Sequence, residues 1–522
     1  MNLLTDQWIP VHKEGKRQLI RLQDILCHDD DWQLSLPRDD MELACLQLII
    51  CLTQVVFTPE DAKILRLAIR QPMSEEDYRK GIADYLDWFD LNHPDTPFMQ
   101  VRGVKATKIT PIQKLFVGLP EGNNHAFFND VGELSAVSES AAAIALFNQA
   151  MNCPGFGGGF KGGFRGSAPV TTLIHNEYLR RRVWSNILHE DSLRLLMPDY
   201  GELKENDKPV WVDPIKAKSS ISASSIGLLR GLFWQPAHIE LIVSDAGYCD
   251  LFGSNEVQLV TGFNKEKFVY DVVGQWVHPH SPRYWYTVRK KKEEKYLSFR
   301  SMAPAWGQLS HFIIDKYGRD EGQQIASVIS QFRTLYPAKK CFLVVGGYRN
   351  QKASIVQRRH ELISLAEGWG DHVDDLSQLI DVALEVKRKV VQVLCLFGAM
   401  AGAAKRNRKK NKSISSSSLV KYSEQLDKYP FENFEDFFDG IHQIAESMFY
   451  HNSEQMIHES LRQMDWRESK KAKEELVKKL IQLSWDIFNE VTRPYQHEPK
   501  MILAIAVAKR TLSKEFRKIQ GG

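Results

Sequence analysis

The stretch "ESAAAIALFNQAMNCPGFGGGFKGGFRG", residues 139 to 166, decides between two fold classes. Seven glycines stand in the fifteen positions from Asn152 to Gly166, together with Lys161 and Arg165. Gly157, Gly159 and Gly162 satisfy G-x-G-x-x-G, the pattern of a dinucleotide-binding loop. Such a loop must follow a strand and open a helix, because its phosphate sits on the helix N-terminus. Here the glycines follow "ESAAAIALFNQAMN", an Ala-rich helical pattern, and no G-x-x-x-x-G-K-[ST] accompanies them. That order argues against a doubly wound nucleotide fold. Two readings remain. The stretch is a flexible loop with Gly155 capping the helix, or a loop whose missing Cβ atoms let its backbone approach another large surface.

Outward from this loop, the chain up to about residue 365 mixes helical and strand patterns with many Gly, Pro and Trp residues. "MELACLQLIICLTQVV" reads as a buried helix, and "HIELIVSD", "QLVTGF", "KFVYDVV" and "CFLVVGGY" read as short strands. After Trp369 the pattern becomes purely helical. Leu376, Leu379, Ile380, Ala383, Val390, Leu394 and Phe397 keep helical spacing. So do Phe434, Phe437, Phe438, Ile441, Ala445 and Met448, then Leu476, Leu480, Leu483, Ile487, Phe488 and Val491, and a last run from Met501 to about Arg517. Four amphipathic helices with short connections predict an antiparallel bundle. The fold class is therefore α+β: an irregular mixed domain over residues 1–368, followed by a four-helix bundle over 369–522. Between the first two helices lies "KRNRKKNKSISSSS", with six cations from Lys405 to Lys412, which reads as a solvated loop.

The 522 residues carry a net charge of only +3, so a nucleic-acid surface has to be a local patch. The seven cysteines, at 27, 45, 51, 153, 249, 341 and 395, form no C-x-x-C pair and no disulfide framework. The start "MNLLTDQWIP" lacks the pattern of a signal peptide, and the longest apolar runs fall short of the roughly 20 residues that span a bilayer. The expectation is a cytoplasmic protein without a membrane partner.

No catalytic constellation stands out. "CHDDDW" offers His28 beside Asp29, and "DHVDD" offers His372 and Asp374, the material of a metal-dependent nuclease or phosphodiesterase. Such sites need several ligands converging on one or two ions. Helix caps and turns explain these short patches more simply. "HPHSP" places His278 and His280 around a proline without a cysteine nearby, which suits a turn better than a ligand pair. No G-x-S-x-G elbow is present. The expectation is no catalytic residue, no metal and no cofactor. Two basic runs remain: "RKKK", Arg289 to Lys292, between "RYWYTV" and "EEKYLSF" like a hairpin tip, and the loop from Lys405 to Lys412.

The chain resembles the large subunit of the type I-E CRISPR Cascade complex, the CasA family. The resemblance runs through "NLLTDQWIPV", "LSLPRDDMELA", "LNHPDTPFMQ", "AIALFNQAMNCPGFGGGFKGGFRG", "SSIGLLRGLFWQPAHIEL", "TGFNKEKF", "HPHSP" and "GGYRNQKASIVQRRH", in the family's order. It implies a non-catalytic subunit that reads the protospacer-adjacent motif on double-stranded target DNA. It further implies that the subunit helps open the duplex for guide RNA and docks a helicase-nuclease effector. The implied partners also include the CRISPR RNA-containing backbone, small and 5′-handle-binding subunits of a prokaryotic complex. Gly155, Gly157, Gly158 and Gly159 would then lie against the minor groove, with Phe127 and Asn129 of "HAFFND" in the motif-sensing loop and Lys267 reaching into the groove. Asn350, Gln351, Lys352 and Ala353 would form the tip of a hairpin that wedges the duplex. Arg289 and Lys290, with Lys291 and Lys292, would line the path of the displaced strand.

Two departures from the family pattern matter. Members carry glutamine at the wedge position, where Lys352 stands here and Gln351 one place earlier. An amide can mimic a base edge and a hydrated ammonium cannot, so the expectation is that Gln351 wedges and Lys352 clamps. Some members bind zinc through two C-x-x-C pairs. The matching stretches here, "ELSAVSES" and "DAGYCDLFGS", hold only Cys249, so no zinc is expected.

Overall fold

In a computed structural model, residues 1–119, 133–299, 303–351, 354–408 and 440–521 are described, the side chains of 402–408 and 500 excepted. The chain forms two compact units. One comprises Met1–Ser301, His311–Pro337 and Phe342–Ile363, and the other Met302–Ser310, Ala338–Cys341 and Ser364–Gly522.

The first unit is organised around two buried helices, Asp39–Val56 and Glu139–Met151. Every residue from Ser140 to Met151 is buried, so this helix is surrounded by protein on all sides. Ser138 starts it by accepting a hydrogen bond from the Ala141 amide at 3.3 Å. Small mixed sheets wrap this centre. His238–Ser244 pairs antiparallel with Leu259–Glu266, as expected for two of the four strand patterns. "KFVYDVV" contributes only Asp271–Val273, which pairs parallel with Ser220–Ser222. "CFLVVGGY" lies in the long strand Cys341–Gln351, which forms a three-stranded sheet with Ser354–Leu365 and Thr171–Ile174.

The second unit contains the helices Val373–Arg408, Ile441–Arg462, Ser469–Thr492 and Pro499–Gly521. All seven apolar positions expected on the first helix are buried. Phe434, Phe437 and Phe438 lie outside the described residues. On the other helices the buried stripe deviates from hydrophobicity alone. Phe449 is buried where Met448 was expected, and Ser484 and Thr492 are buried in place of Leu483 and Val491. The two hydroxyls donate to the carbonyls of Leu480 and Phe488, at 2.8 and 2.7 Å, and so enter the core without an unpaired donor. Lys389 and Glu515, both buried, pair at 2.8 Å between the first and last helices. Such a pair fixes which helix faces which more than it adds stability. Lys405–Arg408 continue the first helix, so the first half of the basic segment is helical rather than loop.

Candidate nucleic-acid interface

The glycine stretch leaves the buried helix at Asn152 and turns three times through positive φ, at Gly157, Gly158 and Gly159 (80°, 56° and 89°). Side chains rarely adopt that conformation. Its glycines serve two different needs. A Cβ on Gly155 would stand 2.7 Å from the Phe160 carbonyl oxygen and 2.8 Å from that of Lys161, so the loop's own closure requires this glycine. A Cβ on Gly158 would meet nothing within 4 Å. Gly158 faces open space, where a ligand backbone can approach.

Lys267, exposed just past the strand Leu259–Glu266, donates its Nζ to the Gly158 carbonyl oxygen at 3.0 Å. Two candidate residues that are 109 positions apart thereby meet at one point. An ammonium has three donors, so this bond positions the head without exhausting it. Lys265, two residues earlier and inside the strand, lies over the Phe156 ring at 5.1 Å. Phe156 packs in turn on Phe160 and Phe263, with centroids 5.6 and 5.7 Å apart. Lys265 was missed by sequence reasoning, although its period-two spacing from Lys267 was a usable signal. Phe127 and Asn129 lie outside the described residues.

The two cations inside the glycine stretch are not waiting for a phosphate. Lys161 is bonded to the Tyr270 carbonyl and pairs with Asp271 at 2.9 Å. Arg165 is 3% exposed and holds the chain together by donating to Thr171 Oγ1, Ser281 Oγ, the Met151 carbonyl and Asn152 Oδ1.

The long hairpin Cys341–Gln351/Ser354–Leu365 shares its root with this loop. Val117, Cys153, Ala168 and Tyr348 form one buried cluster, with Ile355 against it. Cys153 stands two residues before Gly155. Tyr348, fully buried, donates to Asp40 Oδ2 at 3.0 Å and accepts from Asn148 Nδ2 at 2.7 Å. Arg38 grips Asp40 with two hydrogen bonds of 3.0 and 2.8 Å, and Arg358 of the return strand lies 3.4 Å from Asp40. Burial alone would raise the Asp40 carboxyl, but Arg38, Arg358 and Tyr348 outweigh it and hold the group below its ordinary range. The strand ends with Asn350 half-buried and Gln351 exposed; Lys352 and Ala353 lie outside the described residues.

The second hairpin pairs Arg283–Val288 with Lys291–Tyr296, Val288 facing Lys291. Its two turn residues are Arg289 and Lys290, at φ 49° and 65°. Positive φ at both central positions is the type I′ turn, which favours Asn-Gly. Instead the chain places two exposed cations there, with exposed Lys291 and Lys292 beside them. Lys292 lies over the Trp285 ring at 4.6 Å.

The residues considered for metal chemistry have other partners. Asp29 accepts hydrogen bonds from Arg180 and Arg181, and His372 bonds Asp375 at 3.0 Å while stacking on Trp466. His28 and Asp374 are exposed. His278 and His280 are buried, and burial pushes the His280 imidazole down to about 3, so it stays neutral. Among the described residues no group of three or more His, Cys, Asp or Glu converges as for a metal. The stretches "ELSAVSES" and "DAGYCDLFGS" do meet. Here Cys249 Sγ accepts from the Ser138 amide at 3.2 Å and Asp250 from the Ser135 and Ala136 amides. One thiol does not make a tetrahedral zinc site. Among the described residues no helix is long and apolar enough to cross a membrane.

Against known proteins, the family model of CRISPR-associated protein Cse1 matches residues 2–487. The CRISPR-associated protein CasA/Cse1 of Thermus thermophilus is 28% identical over 229 residues, 41% of this chain and 42% of that protein. The solved structure of Thermus thermophilus CasA (Cse1) superposes with a TM-score of 0.70 at 17% identity, over 100% of this chain and 99% of that one. Thermobifida fusca Cse1 gives 0.69 at 16%, covering 100% and 98%. A chain of a CRISPR RNA-guided surveillance complex gives 0.60 at 14%, covering 99% of each.

Proposed function

This chain belongs to the CRISPR-associated protein Cse1 family, and we propose that it is the non-catalytic DNA-recognition subunit of a type I-E surveillance complex. In that role it reads the protospacer-adjacent motif from the minor groove and helps open the duplex beside it. The observation that carries this reading is the Lys267–Gly158 hydrogen bond: it joins a cation to a stretch of bare backbone that faces open space. The minor groove is narrow and displays mainly acceptors, adenine N3 and thymine O2, with the guanine amino group as its one donor. An ammonium suits the acceptors, and Asn129 would supply both a donor and an acceptor. Since minor-groove readout is degenerate, several related motifs should be accepted.

The long hairpin would act as the wedge, with Asn350, Gln351, Lys352 and Ala353 at its tip and the Asp40–Tyr348 network as its foundation. Separating a base step costs a few kcal/mol, and pairing with guide RNA then nearly replaces the lost DNA pairing. A rigid root therefore lowers the barrier to starting. Arg289 to Lys292 would hold the displaced strand through phosphate charge, without sequence preference. The remaining partners are the RNA-bearing subunits of the complex and a helicase-nuclease effector. No observation favours the nuclease alternative built on His28, Asp29, His372 and Asp374.

The test is binding of the assembled complex to a panel of motifs. Gly158→Asp should remove discrimination while the fold survives, because the added atoms meet no protein and the cost of its φ of 56° falls on an exposed turn. Lys267→Ala should narrow the gap between good and bad motifs by about 1–3 kcal/mol. An equal loss on every sequence would assign Lys267 to a phosphate instead, and unchanged discrimination in Gly158→Asp would make the loop structural only.

A further inference from the structure

The tip of the glycine stretch is three residues in the left-handed region, Gly157 to Gly159. Fixing a glycine costs more backbone entropy than fixing any other residue. The tip itself offers little in return. A backbone hydrogen bond crosses it, from the Phe160 amide to the Gly157 carbonyl at 3.0 Å, and a Cβ on Gly158 would meet nothing within 4 Å. What holds the tip in one conformation has to lie at its ends.

Both ends are phenylalanines. Phe156 precedes the three glycines and Phe160 follows them, and their half-buried rings close on each other edge to face, 5.6 Å apart at 81°. Aromatic pairs in this geometry, at about 4.5–7 Å, attract beyond the area they bury. Phe156 also packs at 5.7 Å on Phe263, which is fully buried in the strand Leu259–Glu266. The Lys265 ammonium lies over both rings, 5.1 Å from Phe156 and 5.9 Å from Phe263. Lys267 then reaches the glycines: its Nζ sits on the Gly158 carbonyl, and a Cβ on Gly159 would stand 3.5 Å from it. Positions 263, 265 and 267 thus engage the loop in succession, the first two at Phe156 and the third at the tip. Phe156 joins the clasp across the tip to the segment that carries Lys267.

We propose that Phe156 is a positioning residue for motif reading. Its ring registers the glycine tip on the strand, so that the Lys267 ammonium and the bare backbone of Gly158 meet the groove as one preformed surface. Without the ring the glycines regain their freedom, and binding has to order them again before either group reads a base edge. The role requires no contact between the ring and DNA. It rests on the assignment of this tip to the minor groove.

The experiment measures dissociation constants of the assembled complex for a good and a bad motif. Hydrogen exchange of peptides covering residues 153–165 is followed in the same samples without DNA. Phe156→Ala should reduce the ratio of the two constants about tenfold and speed exchange across the tip, with peptides from the helix Asp39–Val56 unchanged. Phe156→Leu, which keeps an apolar anchor, should fall between the Ala variant and wild type, and it carries the test if the Ala variant does not assemble. Because Phe156 acts through Lys267, the double variant with Lys267→Ala should lose little more than the larger single loss. Fully additive losses, or equal weakening on both motifs, would overturn the positioning role. A ratio that depends on Lys267 but not on Phe156 would also overturn it and leave the motif-reading function standing. If the wild-type complex does not tell the motifs apart, that function fails and this proposal fails with it.

Discussion

The two hairpins of the first unit are built on opposite principles. The long one, Cys341–Gln351 with Ser354–Leu365, sends a mostly buried strand into the core and ties it to Asp40, Arg38 and Asn148 through Tyr348. The cationic one, Arg283–Val288 with Lys291–Tyr296, ends in four exposed cations on a turn whose two central residues occupy the left-handed region. A buried polar network holds only if every member is satisfied, and it then specifies one arrangement. Exposed charge acts through a screened field and tolerates movement. The difference is between an element that must be placed and one that must only be charged.

The comparison breaks most visibly at Asp40. Asp40→Ala leaves Arg38 and Tyr348 without their shared partner, and removing one member of a buried ion pair costs about 3–5 kcal/mol. Urea unfolding should show this loss. Native-state hydrogen exchange should show the long hairpin opening first, and the cationic hairpin should be no faster than in the wild type. Equal acceleration of both hairpins would mean that the network stabilises the whole unit rather than one element.

Acid gives the second separation. His280 is held neutral, its value lowered by burial to about 3, and burial lowers His175 to about 4. Both adjoin the long hairpin's sheet: the His280 carbonyl accepts from the Thr172 amide, and the His175 amide donates to the Phe342 carbonyl. In the unfolded chain both protonate below about pH 6.5. The unfolded state then binds more protons, so stability falls as pH drops from about 6.5 toward 4, by up to about 1.4 kcal/mol per pH unit for each histidine. Asp40 adds to this at lower pH, because its depressed carboxyl contributes stability that is lost as pH falls through its folded value. Melting temperatures between pH 7 and 5 should fall, and His280→Gln should fall less steeply. Parallel curves would remove His280 from the acid response.

The smallest effect sharpens the comparison most. Replacing Arg289-Lys290 by Asn-Gly supplies the residues a type I′ turn prefers and should stabilise the hairpin by about 1–2 kcal/mol. The same change removes two cations. If both meet single-strand phosphates, the slope of log K against log salt should flatten by about 1.4. A turn that becomes more stable while binding DNA less is the signature of strain kept for charge. An unchanged slope would exclude these residues from the DNA path.

Much of this was legible in the sequence because it depends on local periodicity. The all-helical C-terminal pattern, the buried helix at Asp39–Val56, and the failure of G-x-G-x-x-G to open a helix all follow from spacing along the chain. Family membership was carried by long segments in a fixed order. What the sequence did not contain was the identity of each cation's partner. Lys161, Arg165 and Lys267 look alike in a basic, glycine-rich context. Only folding made the first an ion-pair partner of Asp271, the second a buried strut, and the third an exposed head seated on Gly158. Gly155 and Gly158 likewise read as equivalent, yet one is required by the Phe160 and Lys161 carbonyls and the other only by its positive φ, with no protein atom facing it. The same holds for Ser484 and Thr492, polar by composition but buried on the i−4 carbonyls. Hydrophobic period is a property of neighbours in the chain, so the sequence determines it. Contacts such as Lys161–Asp271 and Lys267–Gly158 join residues more than a hundred positions apart, and only the tertiary structure decides which of them meet.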